Sequence, residues 1–258
     1  MFEQLRRQTA RYSLILSCLC CIGVAAADTI LPLPAISIVI DDIGYRHSED
    51  LRAIALPGQV AYAVMPHSPY GRRMARLASA AGRVVLLHLP MQAEDFGKNR
   101  MLGPGALLRT MNREQFLETL EINLRAVPDA IGVNNHMGSL ISGEAEQMRW
   151  LMEMLYDKKV FYLDSLTTGR SVARVAASEK RVPFLKRDVF LDNERDERLI
   201  QLQFDKLIDM AKTHGRAIAI GHPHPETIAV LARNLARLDS RGVRLINPAD
   251  MVGALLTP

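Results

Sequence analysis

Two carboxylates stand side by side in the stretch SIVIDDIGY (residues 37–45), Asp41 and Asp42, at the end of an apolar, β-branched run. Adjacent like charges repel, so a buried strand end gains nothing from them unless a cation or a proton is handled there. Their chemistry divides naturally: one binds a cation while its neighbour accepts a proton. A lone Asp42 would read as the cap of a following helix. A pair at the end of a buried strand is harder to explain by structure alone.

Other groups of the same kind follow other apolar runs. His67 lies in MPHSP, His88 in HLPM, His136 in NNHMGS after Asn134 and Asn135, Asp164 beside Ser165, and His222 and His224 in GHPHP. Five of the seven histidines thus come just after strand-like segments. His88 taken singly would be a hydrogen-bonded core histidine, and His67 is open between site and scaffold. His222 and His224, each followed by proline, have backbones held away from helix, and both ligand and proton donor are open to them. Lys186 and Arg187 read as a solvated strand end or as partners for an anionic substrate group. His47, His214 and Trp150 take structural readings: a helix start, a helix end suited to the dipole, and core. No G-x-S-x-G, P-loop or G-x-G-x-x-G occurs, so serine-hydrolase and nucleotide chemistry lack support.

The elements that must position these residues alternate. Apolar runs at 35–40, 60–64, 83–87, 130–133, 160–163, 182–185, 217–220 and 243–246 are separated by segments with apolar positions three or four apart, such as 112–127, 144–159 and 197–214. Continuous apolar strands have both faces covered, and strand–helix repetition implies a parallel α/β sheet. Eight strand candidates favour a barrel of seven or eight units over a doubly wound sheet. In a parallel barrel every C-terminal strand end lies on one rim, where active sites of this architecture are built. The irregular stretch 91–110 is long enough to be functional in its own right.

The N-terminus reads as a secretory signal over residues 1–27: Arg6, Arg7 and Arg11, a short apolar middle, then Ala25-Ala26-Ala27. An uncleaved anchor is the alternative. Residues 28–35 form a proline-stiffened lead-in, and 36–258 a single domain. All three cysteines fall inside the signal, so a mature chain has no disulfide frame and no cysteine ligands. The signal holds three Arg and one Glu, which lowers the formal net charge of the remainder from +4 to +2. Nothing in that balance points to nucleic acid. Export to a bacterial periplasm, with no stable membrane span once the signal is cleaved, is the expected location.

IDDIGY, HLPM, NNHMGS, the Asp164-Ser165 pair and GHPHPET together resemble the divergent polysaccharide deacetylase family, distant relatives of the NodB-type carbohydrate esterases, over roughly 36–250. The resemblance implies a distorted (β/α)7-8 barrel and a divalent metal, zinc being common in the wider superfamily. It assigns Asp41 as base and Asp42 as metal ligand. His88 matches the first histidine of the superfamily's second motif; position 92, where a second would stand, is Gln, and His136 is expected to take its place. NNHMGS also lacks the superfamily's usual Arg-and-Pro pattern. His222 or His224 would protonate the leaving group, with Asp164 orienting or charging a partner. The implied activity is metal-assisted removal of N- or O-acetyl groups from an acetylated envelope polysaccharide or peptidoglycan-type glycan. The alternative is a non-catalytic periplasmic glycan-binding or envelope-assembly protein on the same barrel.

Overall fold

The computed structural model describes residues 33–256; the signal over 1–27 and most of the lead-in over 28–35 lie outside them. Among the described residues no helix is long and apolar enough to cross a membrane. The chain alternates strand and helix: β1 Ala35–Ile43, α1 His47–Ile54, β2 Ala61–Val64, α2 Gly71–Ala80, β3 Val85–Met91, α3 Arg113–Ala126, β4 Ala130–Met137, α4 Ala145–Lys158, β5 Phe161–Asp164 and α5 Ala173–Lys180. It continues through β6 Phe184–Lys186, β7 Val189–Phe190, α6 Glu197–His214, β8 Arg216–Gly221, α7 Pro225–Leu235, β9 Arg244–Leu245 and α8 Pro248–Leu256. Local signals explain several ends. Asn112 and Gln115 bond reciprocally at the start of α3 as a capping box, and Gly215, at φ +79°, stops α6.

All pairings are parallel, in the order β6-β5-β4-β3-β2-β1-β8-β7, with β9 beside the first residues of β1. The two ends of that order, β6 and β7, are separated in sequence only by Arg187 and Asp188. Three peptide units span at most about 11 Å, so the sheet must curl until its edges meet. The segment 184–190 pairs first with β5 and then with β8, and this crossing closes a distorted (β/α) barrel. All eight strand candidates are present, but the run at 243–246 is a flanking strand rather than a stave, and β7 carried no sequence signal of its own. Several strands also run further than their apolar cores: β1 includes Asp41 and Asp42, β3 includes His88, and β4 includes His136.

Strand alternation sorts the residues. On β1, Ile36, Ile38 and Ile40 join the core between sheet and helices, while Ala35 and Val39 face the barrel interior. Ala61, Ala63, Leu86, Phe161, Leu163, Leu185, Ile218 and Ile220 complete that interior, and Met251 and Val252 of α8 close its N-terminal end. The lumen is narrow because several positions are small. A Cβ on Gly132 would collide with the Phe161 ring, which fills the space left by the missing side chain. Gly132→Ala is therefore expected to lower stability by about 1–3 kcal/mol, the range for overpacking a core. Denaturant unfolding checks this, and Phe161→Leu in the same chain should restore part of the loss.

Candidate metal centre

On an undisturbed strand Asp41 and Asp42 would point to opposite faces. Asp41 follows Ala35, Ser37 and Val39 into the lumen and is buried, 3% exposed. At Asp42 the backbone turns left-handed, φ +58°. The β1–β2 register slips there too, from Ile40 opposite Tyr62 to Ile43 opposite Val64. This bulge re-aims Asp42 so that both carboxylates serve one site. The turn beyond it is held by Asp50, whose Oδ2 accepts the Gly44 N–H at 2.9 Å and the Arg46 N–H at 3.2 Å. Gly44 has φ +125°, and a side chain there would run into Ser68.

Three side chains from three strands converge. Asp42 Oδ1 lies 3.0 Å from His136 Nδ1 and 3.2 Å from His88 Nε2, and the two nitrogens are 3.2 Å apart. Bonds of about 2.0–2.1 Å at tetrahedral angles place ligand atoms about 3.3 Å apart, close to this triangle. Asp42 Oδ1 is buried yet accepts no well-formed hydrogen bond, although two imidazole nitrogens touch it. A buried carboxylate oxygen with no hydrogen-bond partner, beside two imidazole nitrogens bonded only to each other, suits a divalent cation, and the residues fit it.

Asn134 fixes the tautomer of His88. Its Nδ2 donates to Asp41 Oδ1 at 2.8 Å, and a carboxylate accepts only, so Asn134 Oδ1 must face His88 Nδ1, 2.9 Å away. His88 Nδ1–H therefore donates, which turns Nε2 toward Asp42 and His136, where it attracts the carboxylate while protonated and offers a lone pair to a cation once deprotonated. Burial pushes Asp41 above the ordinary carboxylate range, with His88, His222 and Asn134 pulling it back. Burial acts the same way on Asp42, but the His136 and His88 imidazoles prevail and hold it well below that range.

His222, just past β8, faces the trio from another side, its Nε2 3.8 Å from Asp42 Oδ2. Its other nitrogen, Nδ1, donates to Asp192 Oδ1 at 2.9 Å. Asp192 Oδ2 accepts the His222 N–H at 2.6 Å and the Thr227 hydroxyl at 2.7 Å. Burial works against the imidazolium, but Asp192 outweighs it and pushes His222 up to about 9. Asp192 was missed from sequence. It belongs to an irregular stretch after a two-residue strand, where no apolar run announced a rim position.

The remaining candidates are placed as follows. His224 stands at the N-cap position of α7 without a side-chain capping bond, beside His222 with ring centroids 5.7 Å apart, and its buried Nδ1 has no hydrogen-bond partner. Asp164 is at the rim but on the outward parity of β5; its oxygens accept Leu166 N–H at 2.8 Å and the Ser171 hydroxyl at 2.6 Å. Gln92 lies past β3 and its Oε1 accepts the Arg109 N–H at 2.8 Å, bracing the 91–110 loop. His67 bonds Asn123, a scaffold role. Asp41, His88, His136, His222, Lys98 and Arg187 all line one cavity of about 390 Å³.

A closed parallel barrel with a carboxylate–imidazole cluster at its C-terminal rim defines a (β/α) barrel carrying a candidate metal centre. The chain belongs to the divergent polysaccharide deacetylase family, whose pattern it matches over residues 38–252. It is 41% identical to an uncharacterized protein of Haemophilus influenzae over 79% of this chain and 71% of that one. It is 38% identical to the uncharacterized protein YibQ of Escherichia coli over 79% of this chain and 63% of that one. Among solved structures, uncharacterized protein ATU2773 of Agrobacterium tumefaciens shares the fold, with TM-score 0.82 at 22% identity over 86% of this chain and 91% of that one. A CE4 family pseudoenzyme of Bacillus anthracis also shares the fold, with TM-score 0.53 at 13% identity over 85% of this chain and 66% of that one.

In chelator-treated protein, the His222 ring should titrate near 9, and Asp192→Asn should drop it toward the ordinary imidazole value of about 6.5. Histidine-ring NMR reads this directly. Stability follows the same linkage. The raised His222 contributes fully below about 6.5 and loses its contribution as pH rises through about 9. Asp192, held low, contributes above about 3.9 and loses its contribution as pH falls through its folded value. Wild type should therefore exceed Asp192→Asn in stability most clearly between about pH 4 and 6.5.

Proposed function

We propose that the chain is an exported, metal-dependent hydrolase that removes N- or O-linked acetyl groups from an envelope polysaccharide. The observation that carries this is the triangle of Asp42, His88 and His136, with a second, differently tuned carboxylate adjoining it. Family membership supports the substrate class, and the basic–apolar–small pattern of residues 1–27 supports export. Asp42, His88 and His136 would hold the divalent cation. When bound, that ion supplies the positive charge that acidifies water and polarises an acetyl carbonyl.

The other residues divide the proton traffic. Asp41 Oδ1 is occupied by the Asn134 amide, while Oδ2 points toward the trio, 3.7 Å from His88 Nε2. Oδ2 is thus the oxygen that takes a proton from the attacking water. His222 stands ready as the acid. Asp192 holds Nδ1–H and keeps the ring charged at neutral pH, so Nε2–H is available to a leaving amine or alkoxide. An amine leaves only once protonated, and a preformed imidazolium meets that need.

Metal analysis and acetate release from N-acetylated and O-acetylated oligosaccharides test the proposal. Wild type should carry one divalent ion per chain and release acetate. Asp42→Ala should lose the ion. Asp41→Asn should keep it while turnover falls about 10²–10⁴-fold, the usual worth of a positioned base. Protein that binds no metal and hydrolyses no acetylated glycan would end this reading; metal-loaded protein that binds glycan without turnover would favour the binding role.

A further inference from the structure

Two of the cations around the cavity stand outside any ion pair. Asp41 and Asp42 carry two negative charges, which a divalent cation cancels, and Asp192 is paired with His222. Two cations remain in the cavity wall, Lys98 and Arg187. Among the described residues no carboxylate comes within ion-pair distance of either, whereas Arg109 and Arg170, on neighbouring loops, are paired with Glu144 and Glu94.

Arg187 is held through its side chain, and the backbone that carries the exposed Lys98 is braced. Lys98 opens a short 3-10 turn that Asn99 ties to Ala93 by two hydrogen bonds, 2.8 and 3.0 Å. Arg187 stacks on Phe190, 5.0 Å from the ring centroid, and donates Nε–H to Ser165 O at 2.7 Å and Nη2–H to Leu166 O at 3.0 Å. Two backbone carbonyls use only part of its five-donor fork. Asp41, Asp164 and Asp188 act on its charge from beyond ion-pair distance, and the rest of the fork is a partly buried guanidinium edge still open to a planar carboxylate.

We infer that the glycan taken by this site is anionic, bearing carboxylate groups on its acetylated sugars that Lys98 and Arg187 receive. The inference rests on the proposed function for the bond cleaved, and goes beyond it in naming what distinguishes the substrate. Neutral oligomers would reach the centre without satisfying either cation. Anionic ones would be drawn in and oriented by both.

Three matched oligosaccharides of equal length test it: a neutral N-acetylglucosamine oligomer, the same oligomer oxidised at C6 to carboxylates, and one whose carboxylates are lactyl ethers. Metal-loaded protein is compared on them by kcat/KM where acetate is released and by calorimetric Kd in every case. The preference is therefore read even if turnover is absent, which separates failure of this inference from failure of the catalytic reading. At least one anionic oligomer should be favoured over the neutral one by about tenfold, equivalent to about 1.4 kcal/mol. That ratio should shrink between about 0.02 M and about 0.5 M salt as the Debye length contracts, and by about threefold in Lys98→Gln. The anionic arm that wins identifies where the carboxylate sits. Ratios near one for both anionic oligomers, or a preference that neither salt nor Lys98→Gln narrows, would overturn the inference.

Discussion

Successive residues of a β-strand face opposite sides of the sheet, so two neighbouring side chains reach one site only if the strand breaks its own geometry. Strand β1 does this at Asp42, with a left-handed backbone and a slip of register against β2. A non-glycine residue in that conformation costs of order 1–3 kcal/mol, though Asp tolerates it better than most. The surroundings hold it there. Met65 N–H bonds Ile43 O at 2.9 Å, Tyr70 N–H bonds Gly44 O at 2.9 Å, and Asp50 gathers the next amides. Straighten this turn, and Asp42 leaves the lumen while His88 and His136 face an empty corner.

The imidazoles depend on a second constraint, the register of β3 against β4. His88 pairs with Asn134 and Pro90 with His136, so all four lie on the inward parity of adjacent strands. That register sets His88 beside the amide that fixes its tautomer, and brings His136 one step further up the rim. Asn135, on the opposite parity, does different work: its Nδ2–H bonds Met137 O at 2.7 Å and its Oδ1 accepts Ser165 N–H at 2.9 Å. One pair of adjacent asparagines thus splits between tuning the centre and pinning the loop behind it.

Much of this was legible in the sequence because apolar runs and strand ends leave a pattern. The eight runs, the parallel α/β class, and the gathering of Asp41, Asp42, His88, His136 and His222 on one rim follow from periodicity and order. What escaped has physical reasons. β7 is two residues long and its carboxylate neighbour Asp192 follows no periodic segment, so nothing local marked it. Asp164 reaches the rim by the same order but takes the other face. Phe161 and Leu163 face the lumen, which puts Asp164 on the outward face, a parity that FYLD contains but that rim position alone conceals. Gln92 looked like a vacant ligand position when counted from His88. In the fold the strand has ended by then, and the side chain there braces the 91–110 loop.

The two acids also differ before any ion is considered. They share a peptide bond and lie among the same histidines, yet their acidities move in opposite directions. Asp42 has two imidazoles against one oxygen, and their attraction overrides the cost of its burial. Asp41 has a neutral amide on one oxygen and more distant imidazoles, so burial prevails. Neighbouring titratable groups driven apart in this way mark a division of labour: the carboxylate made most anionic suits a cation, and the one made more basic suits a proton. Exchanging the roles would require moving the imidazoles from Asp42 to Asp41, and the β3–β4 register forbids it.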